Sequence, residues 1–433
     1  MTLKNHNIFT IPVGKHFNKD ESDIYLIYAP LSGNMLLADN KTIRKMEIAD
    51  QVRNDGATTE DIEIEELLQT LTDTSETDIE TVQHLEDYRV LYVLPNYTCN
   101  FTCSYCYSAK GRSNQKLSLP HLKTVLDYFV DARRCKGKSL KISFVGGGEP
   151  MMSWDLVKYG LEYASSLAEK QGIELYFGLI TNGSIITNEM LGTLSHYRVT
   201  PRISFEVLEE IQNKQRGHYQ TVCSVIDRML HAGIYCELRS MITPDNVHRM
   251  EEMTLEMTAR FPAIEHYYFD PVTDPNIFRE IEFTRNFYRN YHRHFMQARQ
   301  TANKIGKEVR NAISRSLETV VERYCNGEFC LTPEGTLSIC MEVSSPQEKD
   351  YEKHLYGYID ENNTLQINRE KFYFLKEKEM AANNPKCSAC FIKWNCGGGC
   401  MAINNRYAPE ILDVICEASR ELAVELLVEG LEK

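Results

Sequence analysis

Long apolar runs are missing from this 433-residue sequence. No stretch reaches the roughly 18 residues that a membrane-spanning helix needs, so no span is expected. The opening residues, MTLKNHNIFTIPVGKHFNKD, have neither the apolar core nor the small-residue cleavage site of a secretory signal. The protein is therefore expected in the cytoplasm. An excess of positive charge is also absent. With 61 Asp and Glu against 48 Lys and Arg, the net charge of −13 argues against a broad nucleic-acid-binding surface and favours solubility and a basic partner. No low-complexity tract stands out, nor any repeat of about 20–50 residues that would signal a solenoid.

Cysteine, by contrast, is plentiful. Fourteen occur in a chain long enough for two or three domains with real cores. A disulfide framework belongs to small secreted domains, and this chain is neither small nor equipped for export. In a reducing compartment, clustered thiols point to metal or cluster ligation, because the thiolate is the ligating form. Three of them fall between positions 99 and 106 and eight between 325 and 416. Cys135, Cys223 and Cys236 are scattered on or beside expected helices and strands, as buried small hydrophobes would be.

Residues 1–88 read as a separate segment. Tyr25–Tyr28, the turn Ser32-Gly33-Asn34 and Met35–Leu37 predict a hairpin, followed by helices near 41–53 and 62–71. The Asp/Glu/Thr-rich run from Thr58 to Glu80 reads as exposed or flexible. From residue 89 the pattern alternates. Strands are expected at Val90–Leu94, Leu140–Val145, Leu175–Ile180, Arg202–Val207, Cys236–Thr243 and His266–Val272. Amphipathic stretches lie between them at Leu119–Arg134, Asp155–Lys170, Tyr219–Ala232 and Val247–Arg260. Six β/α repeats imply an α/β fold with a parallel sheet, open or curved into part of a barrel, whose site gathers at the C-terminal strand ends. A helical link is expected at about 276–318, leading to a cysteine-rich domain from 319 to 433.

Directly after the first strand comes Cys99-Asn-Phe-Thr-Cys103-Ser-Tyr-Cys106-Tyr107. Three thiolates on a tight loop can take three corners of a 4Fe–4S cube and leave one iron for a bidentate amino acid. A fourth cysteine would make the site an electron carrier. A zinc site is the other reading, but zinc needs a fourth ligand, and no His or Cys falls close in sequence. After the second strand, Gly146-Gly147-Gly148-Glu149-Pro150 lets backbone approach a ligand closely, or forms a plain turn.

This loop resembles that of the radical S-adenosylmethionine (radical SAM) superfamily. The resemblance implies a partial (β/α)6 TIM-type barrel over residues 89–318. It also implies S-adenosylmethionine as cofactor and a cluster electron that breaks the sulfonium bond, giving a 5′-deoxyadenosyl radical that takes hydrogen from the substrate. By the same resemblance Gly147, Gly148, Glu149 and Pro150 contact the cofactor's amino group, and Asn182 closes strand three. Ser204 and Glu206 replace the family's Ser-x-Asp near the ribose or carboxylate. Tyr105 packs against adenine, and Arg216 or Arg239 grips the carboxylate. For each Arg an ordinary ion pair is the competing reading, and for Tyr105 a packed loop aromatic.

The distal cysteines, Cys325, Cys340, Cys387-x2-Cys390-x5-Cys396-x3-Cys400 and Cys416, match the spacing of the seven-cysteine SPASM domain. That resemblance implies two auxiliary 4Fe–4S clusters. One is held by Cys387, Cys390, Cys396 and Cys416, the other by Cys325, Cys340 and Cys400. Cys330 is either the missing fourth ligand of the latter or a packed thiol. Gly397-Gly398-Gly399 suits backbone wrapped around a cluster. A pair of zinc sites is the competing reading for the region.

Together these resemblances imply an enzyme acting on a peptide or protein. The first reading is a maturase that crosslinks a ribosomally made (RiPP) precursor peptide through a thioether, carbon–carbon or ether bond. It would hold the leader on the 1–88 segment by strand addition and draw electrons from an external donor such as flavodoxin or ferredoxin. The alternative is a formylglycine-generating sulfatase maturase; an iron–sulfur electron carrier is the non-enzyme reading. His266 and Asp270 are possible bases, with core or surface roles competing.

Overall fold

The computed structural model describes residues 2–3, 7–54, 61–75, 79, 82–325, 328–378 and 384–431. At the N-terminus four antiparallel strands lie side by side in chain order: β1 (Thr2–Leu3), β2 (Ile8–Pro12), β3 (Ile24–Ala29) and β4 (Asn34–Asp39). The expected hairpin is β3–β4, with Tyr28 opposite Met35. Alternation sorts its side chains onto two faces. Ile8, Ile27 and Ala29 pack with Ile43 and Met46 of helix Asn40–Asn54 and with Ile64 and Leu68 of helix Ile62–Thr72. Phe9, Leu26 and Tyr28 pack with Leu427 and Val428 of the terminal helix Pro409–Leu431. The run from Thr58 to Glu80 is therefore not simply exposed. Asp61 caps Ile62–Thr72, accepting from Ile64 N at 3.3 Å, and the helix buries Ile64, Leu68 and Leu71. Positions 58–60, 76–78 and 80 of that run lie outside the described residues.

The main sheet has eleven strands. Its centre is six parallel strands in chain order, β5 (Val90–Val93), β6 (Leu140–Phe144), β7 (Leu175–Thr181), β8 (Thr200–Ser204), β9 (Glu237–Ile242) and β10 (His266–Pro271). Connecting helices bury apolar stripes; Leu122, Val125, Leu126 and Phe129 of Leu119–Phe129 are an example. The mixed α/β architecture with its large parallel sheet is the one expected. Several boundaries differ. The helix expected over Leu119–Arg134 breaks at Val130, and Asp131 caps a separate short helix, Ala132–Cys135. The link at 276–318 contains helix Ile281–Lys304 but also a strand, β11 (Glu308–Arg310), parallel to β10.

On the other side of β5 the sheet continues into the cysteine-rich region. β12 (Phe329–Leu331) pairs parallel with β5, and β13 (Thr336–Ser338), β14 (Leu355–Ile359) and β15 (Leu365–Ile367) follow antiparallel. Cys330 thus sits beside Tyr92 in register. Cys135, Cys223 and Cys236 are buried, as expected. Among the described residues no helix is long and apolar enough to cross a membrane.

Candidate active site

The loop after β5 and the loop after β6 are laced together. Gly148 N donates to Asn96 O at 3.0 Å, Glu149 N to Thr98 O at 2.8 Å, and Asn96 Nδ2 to Glu149 O at 3.0 Å. The glycines permit this approach. A Cβ on Gly147 would stand 2.5 Å from the Tyr97 ring, and one on Gly148 would overlap the Thr98 carbonyl. Pro150 opens the following 3-10 turn, Pro150–Ser153.

Glu149 is buried, and its carboxylate is fully engaged by the protein. Oε1 accepts from Thr181 Oγ1 at 2.6 Å and Met151 N at 3.2 Å, and Oε2 accepts from Asn182 N at 2.8 Å. It therefore ties the end of β6 to the end of β7. Burial pushes this carboxyl up, against the lowering effect of those hydrogen bonds. Asn182 in turn reaches the cysteine loop, with Nδ2 2.9 Å from Asn100 Oδ1 and 3.9 Å from Cys99 Sγ.

Beyond β8 the chain makes a tight three-residue turn. Leu208 N donates to Glu206 O at 2.7 Å, and Val207 is held at φ +65°. A β-branched residue there is strained by about 1–3 kcal/mol. This turn ends the strand at Ser204, short of the expected Val207, and aims Glu206 inward. Glu206 is completely buried and accepts from the Tyr105 hydroxyl, from Ser240 Oγ at 2.9 Å and from Met241 N at 3.0 Å. Arg216 Nη1 donates to the same Tyr105 hydroxyl at 2.9 Å, while its buried Nε has no acceptor among the described residues. Tyr105 is thus a loop aromatic fixed by its hydroxyl between an acid and a guanidinium.

The three thiols of the first loop have unequal settings. Burial pushes Cys103 up, opposed by the charge of Arg216. Burial also raises Cys106, but hydrogen bonds with Ser108 and Arg112 outweigh it and leave that thiol below its ordinary value. Arg112 Nη2 is 3.3 Å from Cys106 Sγ, and its Nη1 donates to Phe101 O at 2.5 Å. The contact escapes sequence reading because Arg112 lies outside the cysteine spacing; a cation six residues after the last cysteine is the available signal.

Of the two candidate arginines, only Arg216 stands by this loop. Arg239, next to Ser204 in register, pairs with Asp270 at 3.3 Å, and His266 pairs with Glu308 at 3.0 Å.

In the distal region Cys387, Cys390, Cys396 and Cys416 come within electrostatic reach of one another. Burial first, then this mutual charge, raises Cys387 and Cys416 and pushes Cys396 up to about 12. Cys400 and Cys325 lie within electrostatic reach of Tyr324, and Cys400 within reach of Cys340. Cys330 is fully buried with Leu94, Tyr97 and Val145. Gly397, Gly398 and Gly399 all take positive φ, the left-handed backbone that glycine adopts readily. Among the described residues no group of three or more His, Cys, Asp or Glu side chains converges to hold a single metal ion.

Residues 93–257 match the family model of the Radical SAM superfamily. The chain carries a radical SAM domain. TigE, a radical SAM cyclopropyl synthase of Paramaledivibacter caminithermalis, is 24% identical over 144 residues, covering 30% of this chain and 29% of that protein. The match thus spans less than a third of TigE. Among solved structures, native anSMEcpe with bound AdoMet superposes with a TM-score of 0.62 at 15% identity, covering 79% of this chain and 98% of that one. The same protein with AdoMet and the Cp18Cys peptide gives 0.61 at 15% identity, with coverages of 79% and 98%. At that identity the likeness is one of fold. A radical SAM domain implies a 4Fe–4S cluster and S-adenosylmethionine.

Proposed function

We propose that this protein is a radical SAM peptide maturase with SPASM-type auxiliary clusters, and that its product is a crosslinked peptide. The observation that carries the reading is the meeting of three thiols, on the loop after β5, with buried Glu206 and Arg216 at the C-terminal ends of parallel strands. Cys99, Cys103 and Cys106 would hold the 4Fe–4S cluster. Arg216, whose Nε lacks an acceptor, would take the carboxylate of S-adenosylmethionine. Gly147 and Gly148 would offer backbone to its amino group, with Ser204, Asn182 and Tyr105 completing the cradle. Glu149 and Glu206 would act as struts, because their carboxylates are already occupied by protein donors. When bound, the cluster and S-adenosylmethionine supply a carbon radical able to abstract hydrogen. The chain's own work is positioning and the exclusion of water.

Cys387, Cys390, Cys396 and Cys416 would hold one auxiliary cluster, and Cys325, Cys340 and Cys400 the other. Full burial among apolar neighbours favours the packed-thiol reading of Cys330. A peptide substrate is supported by the peptide bound to the fold relative anSMEcpe. The 1–88 segment would receive the leader along the outer edge of β4, which pairs only with β3 among the described residues. An external reductant of flavodoxin or ferredoxin type would supply the electron. The test is anaerobic reconstitution with iron and sulfide, followed by reduction with S-adenosylmethionine present. The reading expects 5′-deoxyadenosine and methionine in equal amounts; a reduced, cluster-loaded protein that forms neither would refute it.

A further inference from the structure

Away from the cysteine loop, on the side of the sheet that carries Ser204, a ring of charge surrounds Tyr268. Its neighbours are Arg202, Arg310, Arg315 and Glu237, with Arg239 and Arg315 placed 5.7 and 5.4 Å from the ring centre. Three of the four arginines have carboxylates. Arg202 pairs with Glu237 at 2.6 Å, Arg239 with Asp270 at 3.3 Å, and Arg310 with Glu308 at 2.8 Å and Glu318 at 3.5 Å. Among the described residues Arg315 forms no ion pair, and its buried Nε lacks any acceptor. The Arg239–Asp270 approach is itself loose. Arg239 Nε and Nη2 and Asp270 Oδ2 all lack hydrogen-bond partners, while Asp270 Oδ1 accepts from Ala312 N at 2.7 Å.

The group shares a face of the sheet with Ser204, through Arg239 on β9 and Tyr268 on β10. Arg239 is opposite Ser204 in register, and Arg315, Asp270, Cys400 and Cys325 all lie within electrostatic reach of Tyr324. Arg202, Arg239 and Arg310 are each partly exposed. Buried guanidinium donors without acceptors are costly, and Arg315 Nε and Arg239 Nε and Nη2 are such donors. A planar carboxylate answers that need, because it accepts two parallel hydrogen bonds from a guanidinium fork.

We propose that Arg315 and Arg239 bind a carboxylate of the substrate peptide, fixing the segment to be modified between the cofactor end of the sheet and the distal cysteines. This rests on the peptide reading above and names a feature of that peptide: an Asp or Glu side chain, or a free C-terminus, near the modified residue.

Two measurements test it. The first measures binding of N-acetylglutamate methylamide and N-acetylglutamine methylamide to the reconstituted holoenzyme by saturation-transfer NMR, which needs no turnover. The acid is expected to bind about tenfold more tightly than the amide, the scale of one charge-assisted pair. Arg315→Gln should erase that preference, and Arg315→Lys should restore part of it. Equal binding of acid and amide by the wild type would overturn the assignment. The second uses a candidate precursor, a short open reading frame sought beside the gene, with each Asp or Glu changed singly to Asn or Gln and with an amidated C-terminus. One change should raise KM about tenfold in the wild type and add nothing further in Arg315→Gln. A precursor modified equally well in every form would refute this inference while leaving the peptide reading intact. A glutamate preference without any precursor modification would do the reverse.

Discussion

The hydroxyl of Tyr28, on β3 of the N-terminal sheet, donates a 2.8 Å hydrogen bond to Oδ1 of Asn395, the residue immediately before Cys396. Both residues are buried, and Asn395 Nδ2 continues the link to Thr319 O at 3.0 Å. Burial pushes the phenol up to about 12, so it remains a donor across the physiological range. The proposed leader-binding sheet is therefore fastened to the proposed cluster-binding loop.

Tyr28→Phe keeps the packing and leaves the Asn395 acceptor unsatisfied. The expected cost is about 1–3 kcal/mol in denaturant unfolding of the holoenzyme. A midpoint unchanged from wild type would show that the bond contributes nothing.

The glycines after β6 separate close approach from mere turn chemistry. Gly147→Ala, against the Tyr97 ring, is expected to destabilise by about 1–3 kcal/mol through overpacking. Gly148→Ala is expected to be worse, because its Cβ meets backbone as well as Asn96. Gly192, inside helix Asn188–His196 with open space at its Cβ, is the control. Gly192→Ala should stabilise by about 0.5–1 kcal/mol. Thermal melts of the three variants decide the matter.

His292 supplies a pH dependence with a definite sign. It is buried on helix Ile281–Lys304, facing Glu421 at 3.9 Å, and shares a groove with Arg289, Arg293 and Glu425. Burial lowers it from its ordinary 6.5 to about 4, despite the nearby carboxylate. The unfolded chain therefore takes up this proton first as pH falls. The stability it contributes is present above about 6.5 and is lost as pH falls toward 4, at no more than about 1.4 kcal/mol per pH unit. Unfolding of wild type and His292→Gln at pH 7.5 and pH 5.5 should show the wild type losing more. Parallel losses would contradict the assignment.

Much of this was legible in the chain, and the exceptions have physical causes. The six central strands stand out because each is an apolar run bounded by turns, and β5 to β10 fall close to the expected positions. β8 ends early because of the strained turn at Val207, which a β-branched residue does not advertise. β11, β12, β13 and β15 have three residues each, too few to show a period, so the joining of β12 to β5 was hidden. In the site, the spacing of Cys99, Cys103 and Cys106 can be read directly. That Glu149 locks onto Asn182, or Glu206 onto Tyr105, cannot, since each partner lies on a distant strand end or loop.

The two cysteine groups should separate by iron content. Changing Cys99, Cys103 and Cys106 to Ala should remove about four irons per chain and abolish S-adenosylmethionine cleavage. Changing Cys387, Cys390, Cys396 and Cys416 to Ala should also remove about four, and should stop formation of modified peptide. Iron analysis with electron paramagnetic resonance reads both. No loss of iron in either set would contradict the ligand assignment.

The measurement that bears most directly on the whole account is mass spectrometry of the precursor. The protein is co-expressed anaerobically with a candidate precursor, a short open reading frame sought beside its gene, and the peptide is weighed and fragmented. The account predicts the loss of two hydrogens, with fragmentation blocked between two residues. A precursor of unchanged mass, while a sulfatase peptide gains an aldehyde in the same preparation, would contradict it.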